Sequence, residues 1–329
     1  MLKLLEKLTQ IPAPSGSEER IHNAIREEIA PFVDEISVDA LGNLIAHKKG
    51  NGARVMFAAH TDEIGLIVTF ITDKGLLKVS NLGGVSAINA LYQRVCFANG
   101  TEGVVSLDNT NLEDGKTPRL SDLYVDIGAS TQEEAEKKVC IGDTAAFSGK
   151  FSTQGNMAVS KALDDRAGCV VLIETIKQIK SHTNDLYFVF TASEELGLRG
   201  AKAAAFTVNP DYAVAIDVTR TGDVPGKLEM AVRLGGGAAI KIKDSSFMAH
   251  PYIKQRMTEI CEEKGIPHQF EVLEQGGTDS GAIHLSGGGV PSGCISIPTR
   301  YIHSPAEMID IRDLEAAIRL AVSLIEKGL

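Results

Sequence analysis

The sequence has few cysteines, and none of them forms a pair with the spacing of a metal-binding or redox motif. Its five cysteines are scattered singly along the chain: Cys96, Cys140, Cys169, Cys261 and Cys294. An odd, dispersed set without a C-x-x-C pair argues against a disulfide framework, and no cysteine lies in the motif context of a nucleophile. We therefore expect free thiols in a reducing compartment, with the cytoplasm as the expected location.

The chain also lacks a long apolar run and an excess of positive charge. The opening stretch MLKLLEKLTQIPAPSGSEER mixes leucines with charged residues at helical spacing, which predicts an amphipathic first helix and neither a signal peptide nor a membrane span. Lysine and arginine total 33 against 43 aspartates and glutamates, a net charge of −10. Because this charge repels phosphates and anionic lipid heads, nucleic acid and membrane surfaces are not expected partners.

Two common ligand-binding and catalytic loops are missing as well. The glycine clusters at 83–84, 235–237, 276–277 and 287–289 do not continue as GK[ST], and none opens a dinucleotide fingerprint after the first strand. We therefore interpret them as tight turns. The sequence has no G-x-S-x-G elbow either, which excludes the serine nucleophile of that motif.

What is present is a succession of helices and strands, and 329 residues leave room for about two domains. Ser17 is the predicted N-cap of a helix from Glu18 to Ile29. From about residue 65 to 151, short β-like runs follow one another with little helical signal. After that stretch, strands and helices alternate, which favours a parallel sheet covered by helices. The expected fold is α/β, with a mostly parallel sheet flanked by helices in residues 1–64 and 152–329, and a small β-rich domain, residues 65–151, inserted into it.

Histidines and carboxylates recur just past separate hydrophobic runs, and this recurrence is the most informative feature of the chain. They are His60, Asp62, Asp164, Glu194, Glu195, Asp217 and His303. Because loops that leave the carboxyl ends of different strands in an open α/β sheet converge on one crevice, we expect these side chains to be neighbours. A cluster of His, Asp and Glu in such a crevice indicates hydrolytic metal chemistry.

The acidic pairs also have an ordinary structural explanation. Asp164 and Asp165 open a predicted helix, where acids cap the first turn and interact favourably with the helix dipole. Glu194 and Glu195 end an apolar strand and could cap the helix that follows. Both explanations stay open on the sequence alone, although two adjacent acids are well suited to divide metal binding from proton transfer.

The remaining residues are equally ambiguous when each is taken singly. Asp217 ends the strand YAVAID and, if buried, needs a partner, for which Arg220 is a candidate. A histidine after a strand, such as His303, is more often a hydrogen-bonded structural residue than a ligand. An isolated His-x-Asp such as His60 and Asp62 is usually a pair of polar side chains exposed to water, although the Asp could orient a metal-bound imidazole.

Counted together, the residues can hold two cations that share one carboxylate. One set is His60, Asp164 and Asp217; the other is Asp164, Glu195 and His303. Two histidines and three carboxylates suit zinc or cobalt, with manganese as a third candidate. Glu194 is then free to accept a proton from a shared water and return it to a leaving amine.

Six motifs in this order resemble the dinuclear metallo-aminopeptidases of the glutamyl and tetrahedral aminopeptidase family. They are AAHTDEIG, KALDDRAG, TASEELGLRGA, AIDVT, GGTDSGAIH and YIHSPAEM. The resemblance spans nearly the whole chain. It implies that His60 is a ligand oriented by Asp62, that Asp164 bridges the metals, and that Glu194 is the base. Glu195, Asp217 and His303 complete the ligands.

The same resemblance carries expectations about architecture and substrate. It implies an α/β peptidase domain interrupted by a small β-barrel that mediates dimerisation, and assembly of dimers into tetrahedral dodecamers that trim short peptides. The GGTDSGAIH loop is similar to one that lines the substrate pocket of the family, so Thr278 and Asp279 are candidates for contacting the N-terminal residue of the peptide.

Three functions compete on this site. The first is removal of the N-terminal residue from short peptides with two divalent cations. The second keeps the metals but acts on N-acyl amino acids or as a carboxypeptidase. The third is a metal-stabilised scaffold or glycan-binding protein without turnover.

Overall fold

The first two helices form where apolar residues recur every three to four positions. The computed structural model describes residues 1–107, 117–226 and 229–329. Leu5 and Leu8 in the first helix and Ile21 and Ile25 in the second are fully buried. Both helices bury these residues in the largest apolar core of the protein, as the predicted amphipathic pattern requires.

The second helix starts differently from the prediction that Ser17 caps it. The cap position is occupied by Glu18, and no side chain makes a cap bond there. The hydroxyl of Ser17 lies 2.9 Å from that of Thr144, in the inserted β-rich part. The prediction was wrong because this side chain makes a tertiary contact instead of bonding to its own helix.

The helices and strands alternate along the chain as follows. In chain order the helices are α1 (Leu2–Thr9), α2 (Glu19–Ile29), α3 (Ala87–Ala90), α4 (Gln132–Glu136), α5 (Leu163–Gln178), α6 (Arg199–Val208), α7 (Pro251–Lys264), α8 (Ser280–Ile283) and α9 (Ile311–Lys327). The strands are β1 (Glu35–Val38), β2 (Leu44–Lys48), β3 (Arg54–His60), β4 (Gly65–Ile71), β5 (Leu77–Leu82), β6 (Arg94–Phe97), β7 (Glu102–Leu107), β8 (Leu123–Asp126), β9 (Thr144–Phe147), β10 (Ser152–Gln154), β11 (Met157–Ser160), β12 (Asp185–Thr191), β13 (Tyr212–Thr219), β14 (Ala238–Lys243), β15 (His268–Val272), β16 (Ser292–Arg300) and β17 (Glu307–Asp310).

The main sheet is parallel at its centre and antiparallel at its edges. Its order is β1-β2-β12-β3-β13-β16-β17-β11-β10, with β14 and β15 attached beside β16. The central strands β12, β3, β13 and β16 run parallel, while β2, β14 and β17 each join them antiparallel. The predicted α/β class is confirmed, the parallel part being the centre of a mixed sheet.

Helices cover both faces of this sheet because the central strands are apolar on both sides. Along β3, Val55 and Phe57 join the core that includes α5 and α9, whereas Met56 and Ala58 join a second core that includes α6. Successive side chains of a strand point to opposite faces, so one run of buried residues serves two helical layers.

The inserted part of the chain forms a closed barrel between β3 and β10. Its strands follow the order β4-β5-β8-β7-β6-β9, and residues such as Val68, Val95 and Phe147 fill its interior. This confirms the predicted inserted β-barrel. The exact domain limits and the role of the barrel in dimerisation stay predictions.

Some strands outside the parallel centre of the sheet were not predicted from the sequence. They are β10, β11, β14 and β17. No helix in the described ranges is both long and apolar enough to cross a membrane.

Candidate active site

The carboxyl ends of the central strands bring the predicted residues to one edge of the sheet. The last residue of β3, His60, pairs with Thr191 at the end of β12. In β13, Asp217 lies two residues before the strand end, opposite Ser296 of β16. His303 follows β16 by three residues. Parallel alignment of these strands places their ends in one crevice, as expected.

The side chains fall into two overlapping sets, and within each the candidate ligand atoms lie within 4.8 Å of one another: His60, Asp164 and Asp217, and Asp164, Glu195 and His303. His60 Nε2 lies 3.0 Å from Asp164 Oδ1 and 3.9 Å from Asp217 Oδ1. On the other side, His303 Nε2 lies 3.3 Å from Asp164 Oδ2 and 3.1 Å from Glu195 Oε1. Asp164 thus presents one oxygen to each set.

The chemistry of these groups fits divalent cations. Several carboxylates packed into one buried crevice lose hydration and repel one another unless cations offset the charge. Burial raises the pKa of Asp217 to about 7, and the charge of Asp164 adds to this against the opposing effect of His60. For His303, burial lowers the pKa, but hydrogen bonds to Asp164 and Glu195 outweigh burial and raise it to about 11. A histidine held this way gives up its proton when a metal binds, because it ligates as the neutral ring.

The adjacent aspartates at the start of α5 make different contacts. Asp165 Oδ1 accepts the N–H of Gly168 at 3.0 Å, and Oδ2 accepts that of His60 at 3.3 Å. Asp164 departs from helical geometry (φ −77°, ψ 105°), and its oxygens face the two histidines. The helix-capping explanation therefore holds for Asp165 and not for Asp164.

Asp62 fixes the loop that carries the glutamate pair. Its Oδ1 accepts the backbone N–H of Glu194 at 3.0 Å, and its Oδ2 accepts that of Glu195 at 3.2 Å and the hydroxyl of Ser15 at 2.6 Å. Asp62 Oδ1 also lies 3.4 Å from His60 Nδ1. One carboxylate therefore links the end of β3 to the loop after β12. Helix α6 has no side-chain cap, so the glutamates do not cap it.

Glu194 lies beside both sets of candidate ligands and belongs to neither. Its side chain lines the same cavity, and the residue is partly exposed. Burial raises its pKa, His60 opposes the rise, and the charges of Asp217 and Asp279 add to it. A carboxylate with a raised pKa at the wall of a cavity is suited to take up a proton and release it again.

The alternative partner considered for Asp217 is not used. Arg220 is exposed after the end of β13, and it makes no ion pair with Asp217 in the part of the chain that the structure describes. Asp217 Oδ1 instead accepts the N–H of Val218 at 2.7 Å and faces His60. This leaves Asp217 available to the cation site.

The crevice opens into a cavity of about 340 Å³. Outside the candidate ligands its wall is largely apolar or small, including Leu198, Val218, Leu273, Ile302 and the stretch 275–277. Thr278 and Asp279 are buried behind this wall, and the hydroxyl of Thr191 donates to Asp279 at 2.6 Å. Their contact with substrate stays a prediction, and the neighbouring residues 275–277 are the part of the loop that faces the cavity.

The barrel approaches the second ligand set through two glycines that were interpreted only as a turn. A Cβ on Gly83 would lie 2.6 Å from Glu195 Oε2, and a Cβ on Gly84 would lie 2.4 Å from His303 Nδ1. Side chains at these positions would collide with both candidate ligands. The adjacent glycines were visible in the sequence, but the sequence did not indicate that they lie against Glu195 and His303.

Glu307 was not identified from the sequence, although it contacts two residues of the second ligand set. Its carboxylate is buried and accepts the backbone N–H groups of Asp164 and His303. The residue was visible only as part of the motif YIHSPAEM, where nothing marks it as different from any other glutamate.

Fold and site together define a metal-dependent hydrolase, in which an α/β sheet presents two overlapping His and carboxylate sets at its carboxyl edge. A family model of the M42 glutamyl aminopeptidases matches residues 42–320. A protein of Acetivibrio thermocellus, provisionally named an aminopeptidase, is 53% identical over 325 residues, which is 99% of this chain and 98% of that protein.

Solved structures agree with this match. An aminopeptidase of Desulfurococcus kamchatkensis superimposes with a TM-score of 0.95 at 42% identity, covering 99% of this chain and 94% of that one. The TET1 peptidase of Pyrococcus horikoshii, described as assembling into a tetrahedron or a large octahedral shell, gives a TM-score of 0.89 at 37% identity, with 99% of each chain covered.

The chain belongs to the M42 glutamyl aminopeptidase family. It is an aminopeptidase, a metal-dependent hydrolase that removes N-terminal residues from peptides. The expected class of enzyme is thereby confirmed. The two other hypotheses, a deacylase or carboxypeptidase and a scaffold without turnover, are not favoured.

The close approach of the barrel predicts the effect of Gly84→Ala. The added methyl group displaces the ring of His303 from Asp164 and Glu195, so we expect divalent-metal affinity at the second set to fall about tenfold or more. The matched control is Gly288→Ala, since nothing lies within 4 Å of a Cβ there. Calorimetric titration with Co²⁺ measures both variants. Equal affinities in the two would contradict the assigned contact.

Proposed function

We propose that two divalent cations bind in the two ligand sets and share Asp164, with zinc or cobalt as the first candidates and manganese as the third. The single observation that carries this is one buried carboxylate whose two oxygens face two separate histidines, His60 and His303. When bound, the cations lower the pKa of a shared water and polarise the carbonyl of the scissile bond. The proposed ligands are His60, Asp164, Glu195, Asp217 and His303.

Glu194 is the general base of this proposal. It accepts the proton of the attacking water and delivers it to the amine that leaves. Its raised pKa, its place on the cavity wall and its absence from both ligand sets support this role. Asp62 is the residue that orients the site, because it accepts from the backbone of Glu194 and contacts the ring of His60.

The substrates are short peptides with a free N-terminus. A cavity of about 340 Å³ admits one or two residues of an extended peptide but not a folded chain. The residues of its wall contact the side chain of the first residue.

The protein is a homo-oligomer in this proposal, a dimer and in its larger form a tetrahedral dodecamer. The assembly described for the TET1 peptidase supports this, since that chain aligns over 99% of its length. The barrel in residues 65–151 is the proposed dimerisation domain. It exposes large apolar side chains, among them Phe70, Ile88, Tyr92 and Ile141, which a partner subunit would cover.

Arg220 supports a preference for acidic N-terminal residues. It lines the cavity just beyond Asp217 and is exposed. Among the described residues it has neither an ion-pair nor a hydrogen-bond partner, so its guanidinium is available to a ligand. Cations bound in the site would offset the charge of the ligating carboxylates, which leaves Arg220 as the cation that a substrate carboxylate meets.

Glu194→Gln tests the function directly. The amide keeps the shape of the side chain but takes up no proton, so we expect kcat on an amino-acyl p-nitroanilide to fall about 10²- to 10⁴-fold while metal content and fold persist. Glu19→Gln on the exposed face of α2 is the matched control and should leave kcat unchanged.

Two results would count against this account. Unchanged hydrolysis by Glu194→Gln would remove the proposed base. If the wild-type protein cleaved N-acetylated peptides as fast as peptides with a free N-terminus, the hypothesis of a deacylase or carboxypeptidase would replace that of an aminopeptidase.

Arg220→Ala tests the proposed substrate preference. We expect kcat/KM for glutamyl p-nitroanilide to fall about tenfold or more, as loss of a charge-assisted contact should cause, with little change for leucyl p-nitroanilide. Arg199→Ala, an exposed arginine at the start of α6, is the control. Equal loss on both substrates would show that Arg220 does not select the side chain.

A further inference from the structure

Glu307 is a buried carboxylate that contacts two candidate metal ligands through their backbone. It opens β17 and is 2% exposed. Its Oε2 accepts the N–H of Asp164 at 2.9 Å, and its Oε1 accepts the N–H of His303 at 2.9 Å. One side chain therefore joins two segments that are far apart in the chain and that both supply the second ligand set.

At both contacts the backbone departs from regular helix or strand geometry. His303 has a φ of +63°, in the left-handed region that residues with a side chain seldom adopt. Asp164 lies before the regular part of α5, with non-helical dihedral angles. Within the described ranges neither N–H bonds to a backbone carbonyl, so Glu307 is the side chain that accepts both and links the two backbone segments.

The position is costly for a carboxylate, which argues for more than packing. Burial and the nearby charge of Asp164 raise the pKa of Glu307. Lys161, a buried cation that lines the same small cavity as Glu307, is already bonded to both oxygens of Glu63 at 2.8 and 2.7 Å. An apolar residue of similar size would fill the space without this cost, but it could not accept two N–H groups.

We propose that Glu307 is a positioning residue that sets the separation and orientation of Asp164 and His303, and thereby completes the second cation site formed with Glu195. This rests on the proposed two-cation function. A residue that bonds to ligands without touching the metal typically changes metal affinity about 10- to 100-fold when it is replaced.

Glu307→Gln is the decisive variant because it preserves size and replaces one acceptor oxygen with an amide NH₂, which faces an N–H it cannot accept. Metal-free protein is titrated with Co²⁺ by calorimetry and by its visible absorption spectrum. We expect the ion held by Asp164, Glu195 and His303 to bind about 10- to 100-fold more weakly, with an altered spectrum, and the other ion, which shares only Asp164 with that site, to be weakened less. The decrease in kcat should be largely reversed by excess Co²⁺, with KM little changed.

Asp310→Asn is the matched control. Asp310 lies on the same strand, is fully buried and accepts the backbone N–H of Arg312 at 2.9 Å, but it faces the start of α9. Its substitution should lower the melting temperature of the protein without weakening the binding of either ion. If Glu307→Gln melts too low to titrate, Glu307→Asp keeps the charge but is one methylene too short to reach both N–H groups, and the same loss at the second ion is expected.

The outcomes separate this inference from the function on which it rests. The positioning role is overturned if the Glu307 variants bind the second ion as tightly as the wild type does. It is also overturned if Asp310→Asn weakens binding of the second ion by the same factor. Wild-type protein that binds fewer than two ions overturns the two-cation proposal instead.

Discussion

The whole site depends on where the two oxygens of Asp164 point. One lies 3.0 Å from the imidazole of His60 and the other 3.3 Å from that of His303. These histidines come from opposite ends of the chain, and only the carboxyl edge of the parallel strands brings them together. A buried carboxylate shared in this way is unfavourable without positive charge on both sides. The surrounding residues can therefore be understood as means of holding Asp164 in place and offsetting its charge.

Three separate parts of the chain maintain that arrangement. Asp62 ties the end of β3 to the loop that carries Glu194 and Glu195. Glu307 ties the backbone of Asp164 to that of His303. The barrel contributes a glycine pair that packs against the second ligand set. Sheet, C-terminal segment and inserted barrel thus all meet at one set of side chains, and a change in any of them is transmitted to the ligands.

Much of this could be predicted because the signals are local. Buried parallel strands are continuous apolar runs, so a polar residue such as His60 or Asp217 at the end of a run marks both the strand end and the crevice. The insertion was also visible, since its short β-like runs differ from the helical pattern that follows. The structure groups these side chains into the two sets that the sequence predicted, and their function as metal ligands stays a proposal.

What the sequence could not indicate depends on tertiary proximity. Nothing local distinguishes Gly84 from other turn glycines, and only the fold places it against His303. Asp164 and Asp165 look alike at a helix start and both depart from helical geometry, yet Asp164 faces the two histidines while Asp165 caps the helix. Ser17 looked like a cap but contacts the barrel. A strand as short as β17, with four residues, is too short for a recognisable alternation.

The central claim is that two divalent ions share Asp164. Anomalous diffraction at the zinc edge, from crystals of the protein grown with zinc, tests it most directly. We expect two peaks in each subunit, one in contact with His60, Asp164 and Asp217 and the other with Asp164, Glu195 and His303. A single peak, or two peaks that Asp164 does not bridge, would contradict it.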